Sequence, residues 1–308
     1  MGGQSEAGPL SRVESFGFED DCEIPNLPEA RYGFAAFKTF SNQLAVCGGW
    51  WEGKLNTTDC LLLDTEKGQW VRGAFEGNLH GEAVRGVASF EDHGIYVSHS
   101  RRTSQIEHKS TTWTLGPEPP VEVECACKVS ISSFVVVGRS DVHEYSITKK
   151  LWEDKENWPS LTVERRGVGC AATLKHLVVA GGVTNQGGVL SSIEVYGLRS
   201  KKKNEDIAAD MVIPRSFFSL VLVGQTQPRL LAIGGRSTTT WISTSEYLDE
   251  EGKYWEAGPS LQEGRSNFGS LMIEGDYVCS SIKATCDIEK CPLEGSTTAP
   301  EMETQPAG

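Results

Sequence analysis

Leu177-Val-Val-Ala-Gly-Gly182 decides how this chain is read, because it recurs as Leu44-Ala-Val-Cys-Gly-Gly49 and Leu230-Leu-Ala-Ile-Gly-Gly235. Each is a short apolar run ending in a glycine pair. Weaker copies stand between and after them, at Ile95-Tyr-Val-Ser-His99, Phe134-Val-Val-Val-Gly138 and Tyr277-Val-Cys-Ser-Ser281. Successive copies lie roughly 40 to 53 residues apart, the period of an array of small repeated units that stack to share a core.

Working outward, every copy divides into four strand segments. A small-residue stretch such as Arg166-Gly-Val-Gly-Cys-Ala-Ala172 comes first, then the apolar run. Its terminal glycines permit backbone angles or close approaches denied to other residues. A third, alternating segment follows, as in Asp59-Cys-Leu-Leu-Leu-Asp64 and Ser192-Ile-Glu-Val-Tyr196. The fourth often carries a tryptophan: Trp70, Trp113, Trp152, Trp255. Turns rich in Gly, Pro and Arg lead into the next copy.

This order resembles the kelch repeat, in which an apolar run, a Gly-Gly pair, an alternating strand and a Trp make one blade. The resemblance spans residues 12–283 and implies an all-β fold, a six-bladed kelch-type β-propeller. Ser98-His99, Gly138-Arg139 and Ser280-Ser281 depart from the glycine pair, and the fourth copy lacks the Trp. The last copy offers two strands only. Arg12-Val-Glu-Ser-Phe-Gly-Phe18 and Cys22-Glu-Ile-Pro25 are read as the N-terminal strands that complete the last blade and remove its open edges. Residues 1–11 and 284–308 carry too little apolar surface to order themselves and are expected to be disordered.

The chain has 308 residues and a net charge of −13. That balance argues against nucleic acid or anionic membrane as a partner, since both select Lys and Arg. No apolar run approaches the ~18 residues of a membrane helix. The six histidines are scattered, with none at metal-ligand spacing, and no nucleophile elbow or phosphate loop is present, so neither metal nor cofactor is expected.

Two groups of residues are candidates for binding. Trp50, Trp51, Arg139, Arg236 and Trp241 follow second strands, whose loops gather on one face of a propeller, and Trp and Arg are favoured at interface hot spots. Trp50 and Trp51 could equally fold back onto a blade edge. Arg31, Arg85, Arg166, Arg215 and Arg265 recur at the turns into first strands. They read either as a ring of cations at the channel mouth, suited to an acidic peptide or a glycan carboxylate, or as a repeated structural bond between neighbouring blades.

Nine cysteines are present. Cys47 ends a second strand and Cys60 opens the third, facing it across a hairpin. Cys127 and Cys170 each stand 11 residues before a strand-ending glycine (Gly138 and Gly181). Both pairs are candidate disulfides, although sequence does not fix their geometry. Secreted invertebrate kelch proteins are similar in placing one Cys before Gly-Gly and another about a dozen residues on. With the acceptor pattern Asn56-Thr-Thr58, this favours an extracellular location if the start is truncated. The absence of a secretory signal at Met1 and the odd cysteine count favour the cytoplasm instead.

The expectation is therefore a non-catalytic module that binds a protein partner through its loop face. The alternative is a carbohydrate-active kelch enzyme, similar to sialic acid mutarotase, with its site at the channel mouth.

Overall fold

The computed structural model describes residues 1–16, 24–51, 54–55, 59–77, 79, 82–154, 158–204, 209–224, 227–249 and 252–273. The acceptor pattern at 56–58, the copy at 277–281, Cys22, Cys279, Cys286, Cys291 and the tail 284–308 lie outside the described residues. Every regular element described is a β-strand, in an arrangement consistent with a β-propeller. None is a helix long and apolar enough to cross a membrane.

Five antiparallel units follow one another. Unit 1 consists of Ala35–Lys38, Leu44–Cys47, Cys60–Asp64 and Gln69–Arg72. Unit 2 runs through Val84–Phe90, Gly94–His99, Thr103–Glu107 and Thr112–Leu115. Unit 3 comprises Cys125–Lys128, Ser133–Val137, Val142–Ser146 and Leu151–Trp152. Unit 4 has Gly169–Ala172, His176–Ala180 and Ile193–Gly197, with an isolated bridge from Tyr196 to Lys203 where a fourth strand would run. Unit 5 has Ser219–Val223, Arg229–Ile233, Ser245–Leu248 and Trp255–Ala257. Units 2 and 3, with Glu76–Gly77 added in parallel beside Thr112–Leu115, merge into one nine-stranded curled sheet, because their first strands pair in parallel with Gly86 opposite Ala126. A Cβ on Gly86 would stand 2.2 Å from the Ala126 carbonyl oxygen, so only glycine allows this junction.

The second strands of units 1 to 3 are buried along their whole length, and those of units 4 and 5 from their second residue on, because sheets cover both of their faces. Six clusters of buried side chains fill the spaces between neighbours. Val178, Ala180 and Val195 of unit 4, for example, meet Phe218, Leu220 and Leu230 of unit 5. Two clusters involve the chain ends: Leu271, Ile273, Met1 and Val13 pack on unit 1, and Phe268 and Phe16 pack on unit 5.

Residues 1–11 are not the disordered leader their composition suggests. Met1 donates to and accepts from Gly269, and Gln4–Ser5 pairs with Gly8–Pro9. Main-chain bonds, which composition does not report, hold this segment. They repeat those of units 4 and 5. Gly2 N–H bonds Arg12 O, as Gly181 bonds Ser192 and Gly234 bonds Thr244. Gly3 N–H bonds Arg31 O, as Gly182 bonds Arg215 and Gly235 bonds Arg265. Leu10 N–H returns to Gly3 O, as Leu190 does to Gly182 and Ile242 to Gly235. Gly2 and Gly3 have φ of 54° and 111°, close to the 60° and 98° of Gly181 and Gly182. In this left-handed region a Cβ is strained.

A relay of hydrogen bonds passes between units at the entry to their first strands. Val84 N–H bonds Gly33 O at 3.0 Å, Gly33 bonds Asn267 O at 2.8 Å, Asn267 bonds Phe217 O at 3.0 Å and Phe217 bonds Gly167 O at 2.7 Å. Gly167 N–H ends on the Glu124 carboxylate at 2.9 Å.

Two disulfides are described. Cys47 and Cys60 are cross-strand partners with Cα atoms 4.1 Å apart. Cys170 is bonded to Cys125, not to Cys127, with Cα atoms 6.1 Å apart, so this bridge joins first strands of units 3 and 4. The first hairpins differ in length by one residue, so Ala126, opposite Val136, and not Cys127 is the register equivalent of Cys170, opposite Val179; the bond goes to the adjacent Cys125. Lys128 opposite Phe134 leaves 129–133 in one turn, whereas Ala172 opposite Leu177 leaves 173–176 in the other. Cys127 stays a free thiol, and burial pushes its pKa up to about 12.

Candidate functional site

In each unit the loop after the second strand and the turn into the first strand lie at the same end, since antiparallel partners begin and end together. Bridges between Arg166 and Val183 and between Ser216 and Arg236 tie the two kinds of segment. In unit 1 they form a small sheet of Arg31–Tyr32, Trp50–Trp51 and Lys54–Leu55, with Tyr32 opposite Trp50 and Arg31 opposite Trp51. The rings of Tyr32 and Trp50 stack 6.3 Å apart and nearly parallel, at 8°. Both tryptophans are half-buried, so each keeps part of its ring in solvent.

In unit 5 the loop after Arg229–Ile233 places the exposed Arg236 guanidinium over the Trp241 ring, 4.6 Å from its centre. The Trp241 indole N–H is buried without a hydrogen-bond partner among the described residues. In unit 3, Arg139 bonds Glu122 at 3.1 Å and approaches Glu124 at 3.9 Å. The three groups thus rise from units 1, 3 and 5 at one end of the molecule. Among the described residues no hydrogen bond, ion pair or ring contact joins one group to another.

The expected ring of cations is not built from Arg31, Arg215 and Arg265. All three are fully buried, as is Arg165, which takes the recurring place that Arg166 was expected to fill. Arg215 Nη1 donates to the carbonyls of Gly234 at 2.8 Å and Thr244 at 3.0 Å, and its Nη2 meets Glu246 at 2.6 Å. Arg165 does the same with Gly181, Ser192 and Glu194. Arg265 repeats it with Gly2, Arg12 and Glu14 across the two chain ends. Arg31 bonds Gly48 O, Asp59 at 3.1 Å and Glu29. The physical reason is shared: carbonyls freed by the left-handed glycines need a donor, and a third-strand carboxylate neutralises it. Arg166 is exposed, and Arg85 is half-buried against Ser100 Oγ at 3.3 Å.

Electrostatics follow from this burial. Desolvation lowers the pKa of Arg165, Arg215 and Arg265, opposed by Glu194, Glu246 and Glu14 respectively. Burial alone would raise Glu194, but the Thr162 N–H, Lys203 and Arg165 hold it below the usual carboxylate range. Units 2 and 3 solve the problem differently. Where unit 2 has Ser98-His99 instead of Gly-Gly, the fully buried imidazole donates from Nδ1 to Glu82 O at 3.0 Å and has Nε2 3.2 Å from Ser104 Oγ. Unit 3 reverses the charges, with Glu124 on the turn and Arg139 after the second strand.

Sequence reasoning missed the partners: Glu14, Glu194 and Glu246, and Tyr32 under Trp50. A signal for the first set exists, since each Glu stands 11 or 12 residues after the second glycine of a pair (Gly3, Gly182, Gly235).

Between the first strands lies a cavity of about 800 Å³ lined chiefly by small or apolar residues such as Gly86, Ala126, Gly169 and Leu220. Lys38, Glu91, His108 and Lys128 line it at the end where first strands finish, and Arg85, one of the expected channel-mouth arginines, lines it at the end where they begin. No group of three or more His, Cys, Asp or Glu among the described residues could hold a metal ion. No protein-family model matches the chain, and no curated protein matches it significantly.

Proposed function

We propose that this chain is a six-bladed propeller of the kelch type, closed by its N-terminal segment, and that it acts as a non-catalytic protein-binding module through the face carrying Trp50, Trp51, Arg236 and Trp241. Repetition of one bonding pattern around Gly2–Gly3, Gly181–Gly182 and Gly234–Gly235 supports counting residues 266–273 with 1–16 as a sixth blade. The observation that carries the functional reading is the partly exposed Tyr32–Trp50 stack beside Trp51, on a small sheet standing off unit 1. Rigid aromatic surface held on a scaffold is favoured at interface centres. Arg236 on Trp241 adds a preorganised cation, suited to a carboxylate of an acidic peptide or glycan. Arg139, shared between two glutamates, is the weaker contributor.

Binding is favoured over catalysis because the arginine and glutamate groups with displaced proton affinities are buried inside blades, not gathered around the cavity. Two disulfides favour an oxidising, extracellular setting. The test is the double variant Trp50→Ala/Trp51→Ala, compared with wild type for capture of a cross-linked partner from the native source. Capture should be lost, with the melting temperature held within about 3 °C. Undiminished capture, or a collapse in stability with no change in binding, would return both tryptophans to a structural role.

A further inference from the structure

The end of each unit where the first strand finishes lies opposite the Trp and Arg loops, and in units 3 and 4 its turns carry an unusual pair of side chains. The turn after the first strand of unit 3 is Val129-Ser-Ile-Ser-Ser133, and that of unit 4 is Thr173-Leu-Lys-His176. Tight turns favour Gly, Asn, Asp and Ser, and an aliphatic side chain at the tip gains nothing from folding. Yet Ile131 is 85% exposed and Leu174 89%, the two most exposed large apolar residues among those described. Exposed aliphatics scattered singly are ordinary; these two are neighbours. Gly167, at the entry to the first strand of unit 4, bonds Glu124, just before that of unit 3, and the Cys125–Cys170 bridge joins the two strands. Both strands therefore start together, and their turns project from the same end. Leu151, also exposed, opens the fourth strand of unit 3 there.

That end of units 3 and 4 is also basic. The turns after their first and third strands, residues 128–133, 147–150, 173–176 and 198–204, contain no Asp or Glu. Lys149, Lys201 and Lys203 are engaged by Glu153, Glu144 and Glu194. Through Glu144, Lys201 ties the outer turn of unit 4 to the third strand of unit 3. Lys150, Lys175, Arg199 and Lys202 are exposed and make no ion pair among the described residues. In units 1, 2 and 5 the equivalent turns hold Glu66, Glu91, Asp92 and Asp249. The net charge of −13 is thus an average over two unlike regions, and it conceals this one.

The geometry points to a docking surface for a bilayer rich in anionic lipid. Ile131 and Leu174 enter the boundary between headgroups and acyl chains, while Lys150, Lys175, Arg199 and Lys202 meet the headgroups. Aliphatic tips flanked by cations are what such an interface selects. A soluble polyanion would satisfy the cations but leave both tips in water, so the aliphatics decide between the two. Lysine stems add apolar length beneath their charge. The contact is peripheral, made by turns that lie on the surface and do not span it. The bridge between the first strands fixes the spacing of the tips, so little freedom is lost on docking. The surface faces away from the Trp and Arg loops, and both ends of the molecule can be occupied at once.

Cosedimentation of the full-length protein with vesicles tests this. Vesicles of equal parts phosphatidylserine and phosphatidylcholine should bind it, less so as salt is added, and phosphatidylcholine alone should not. Lys150→Gln/Lys202→Gln should weaken binding about 25-fold, from about fivefold per charge. Ile131→Ser/Leu174→Ser keeps every charge and should still weaken it at least about tenfold. Both variants should melt with the wild type, because all four side chains stand in solvent. Trp50→Ala/Trp51→Ala should bind the vesicles undiminished, which separates this surface from the binding face proposed above. The proposal is overturned if the mixed vesicles do not retain the wild type. It is equally overturned if Ile131→Ser/Leu174→Ser binds them as tightly as wild type, which would leave charge alone at work and make a soluble polyanion the partner.

Discussion

Arg215 shows what a single position does in this architecture. Its guanidinium spans the strand-ending glycine, the third-strand carbonyl and Glu246, whose carboxylate also accepts from the N–H groups of Val212 at 2.7 Å and Ile213 at 3.1 Å. Removing one member strands a buried charge, which costs about 3–5 kcal/mol, far more than the net worth of the intact pair. Arg215→Ala should therefore lower the unfolding free energy from a urea titration by that much, and Arg215→Ala/Glu246→Gln should recover part of the loss. A change under about 1 kcal/mol would contradict the bonding described. The recurrence of Arg at each turn was visible in the sequence, but its role was not. Carboxylates 29 to 31 residues later complete the arrangement, and neither their distance along the chain nor the burial of both partners leaves a local mark.

At the scale of strands and units, the glycine pairs announced where second strands end, and the last-strand tryptophans were placed as expected in units 1, 2, 3 and 5. Those indoles do a repeated job: Trp70, Trp152 and Trp255 donate to the carbonyls of Pro25, Glu118 and Ala209 at 2.7 to 2.8 Å. What could not be read was pairing between units: the one-residue difference between two hairpin turns shifts the equivalent of Cys170 to Ala126, and contact across units, which leaves no local mark, selects the adjacent Cys125. The Cys125–Cys170 bridge closes a separation of 45 residues, and removing a native disulfide of this kind typically costs about 2–5 kcal/mol. Cys125→Ala should cost that much in a denaturant titration under oxidising conditions, and Cys127→Ala should cost clearly less. A loss with Cys127→Ala as great as or greater than that with Cys125→Ala would contradict the Cys125–Cys170 bridge.

At the scale of the molecule, the period of the repeat made an array legible, but the N-terminal turn escaped notice because Gly2-Gly3 has no apolar run before it in the sequence. Its order comes from across the fold. Burial of the Met1 amino group, aided by Arg265 and opposed by Glu14, lowers its pKa from 8.0 to about 5. Between those values the unfolded chain holds a proton that the folded chain lacks, so this group makes stability rise with pH across that window. Thermal melts from pH 5 to 8 should show that rise, and acetylation of Met1 should flatten it. An acetylated protein with an unchanged profile would place the amine in solvent.

The relay from Val84 through Gly33, Asn267 and Phe217 to Gly167 and Glu124 has a chemical cost for any ligand approaching the entries of the first strands. Each link spends an amide on the adjoining carbonyl, and the final amide is claimed by a carboxylate. Backbone amides turned outward are a common cradle for phosphates and other anions, and these five are spoken for. On the binding role proposed above, discrimination between partners would then be left to side chains.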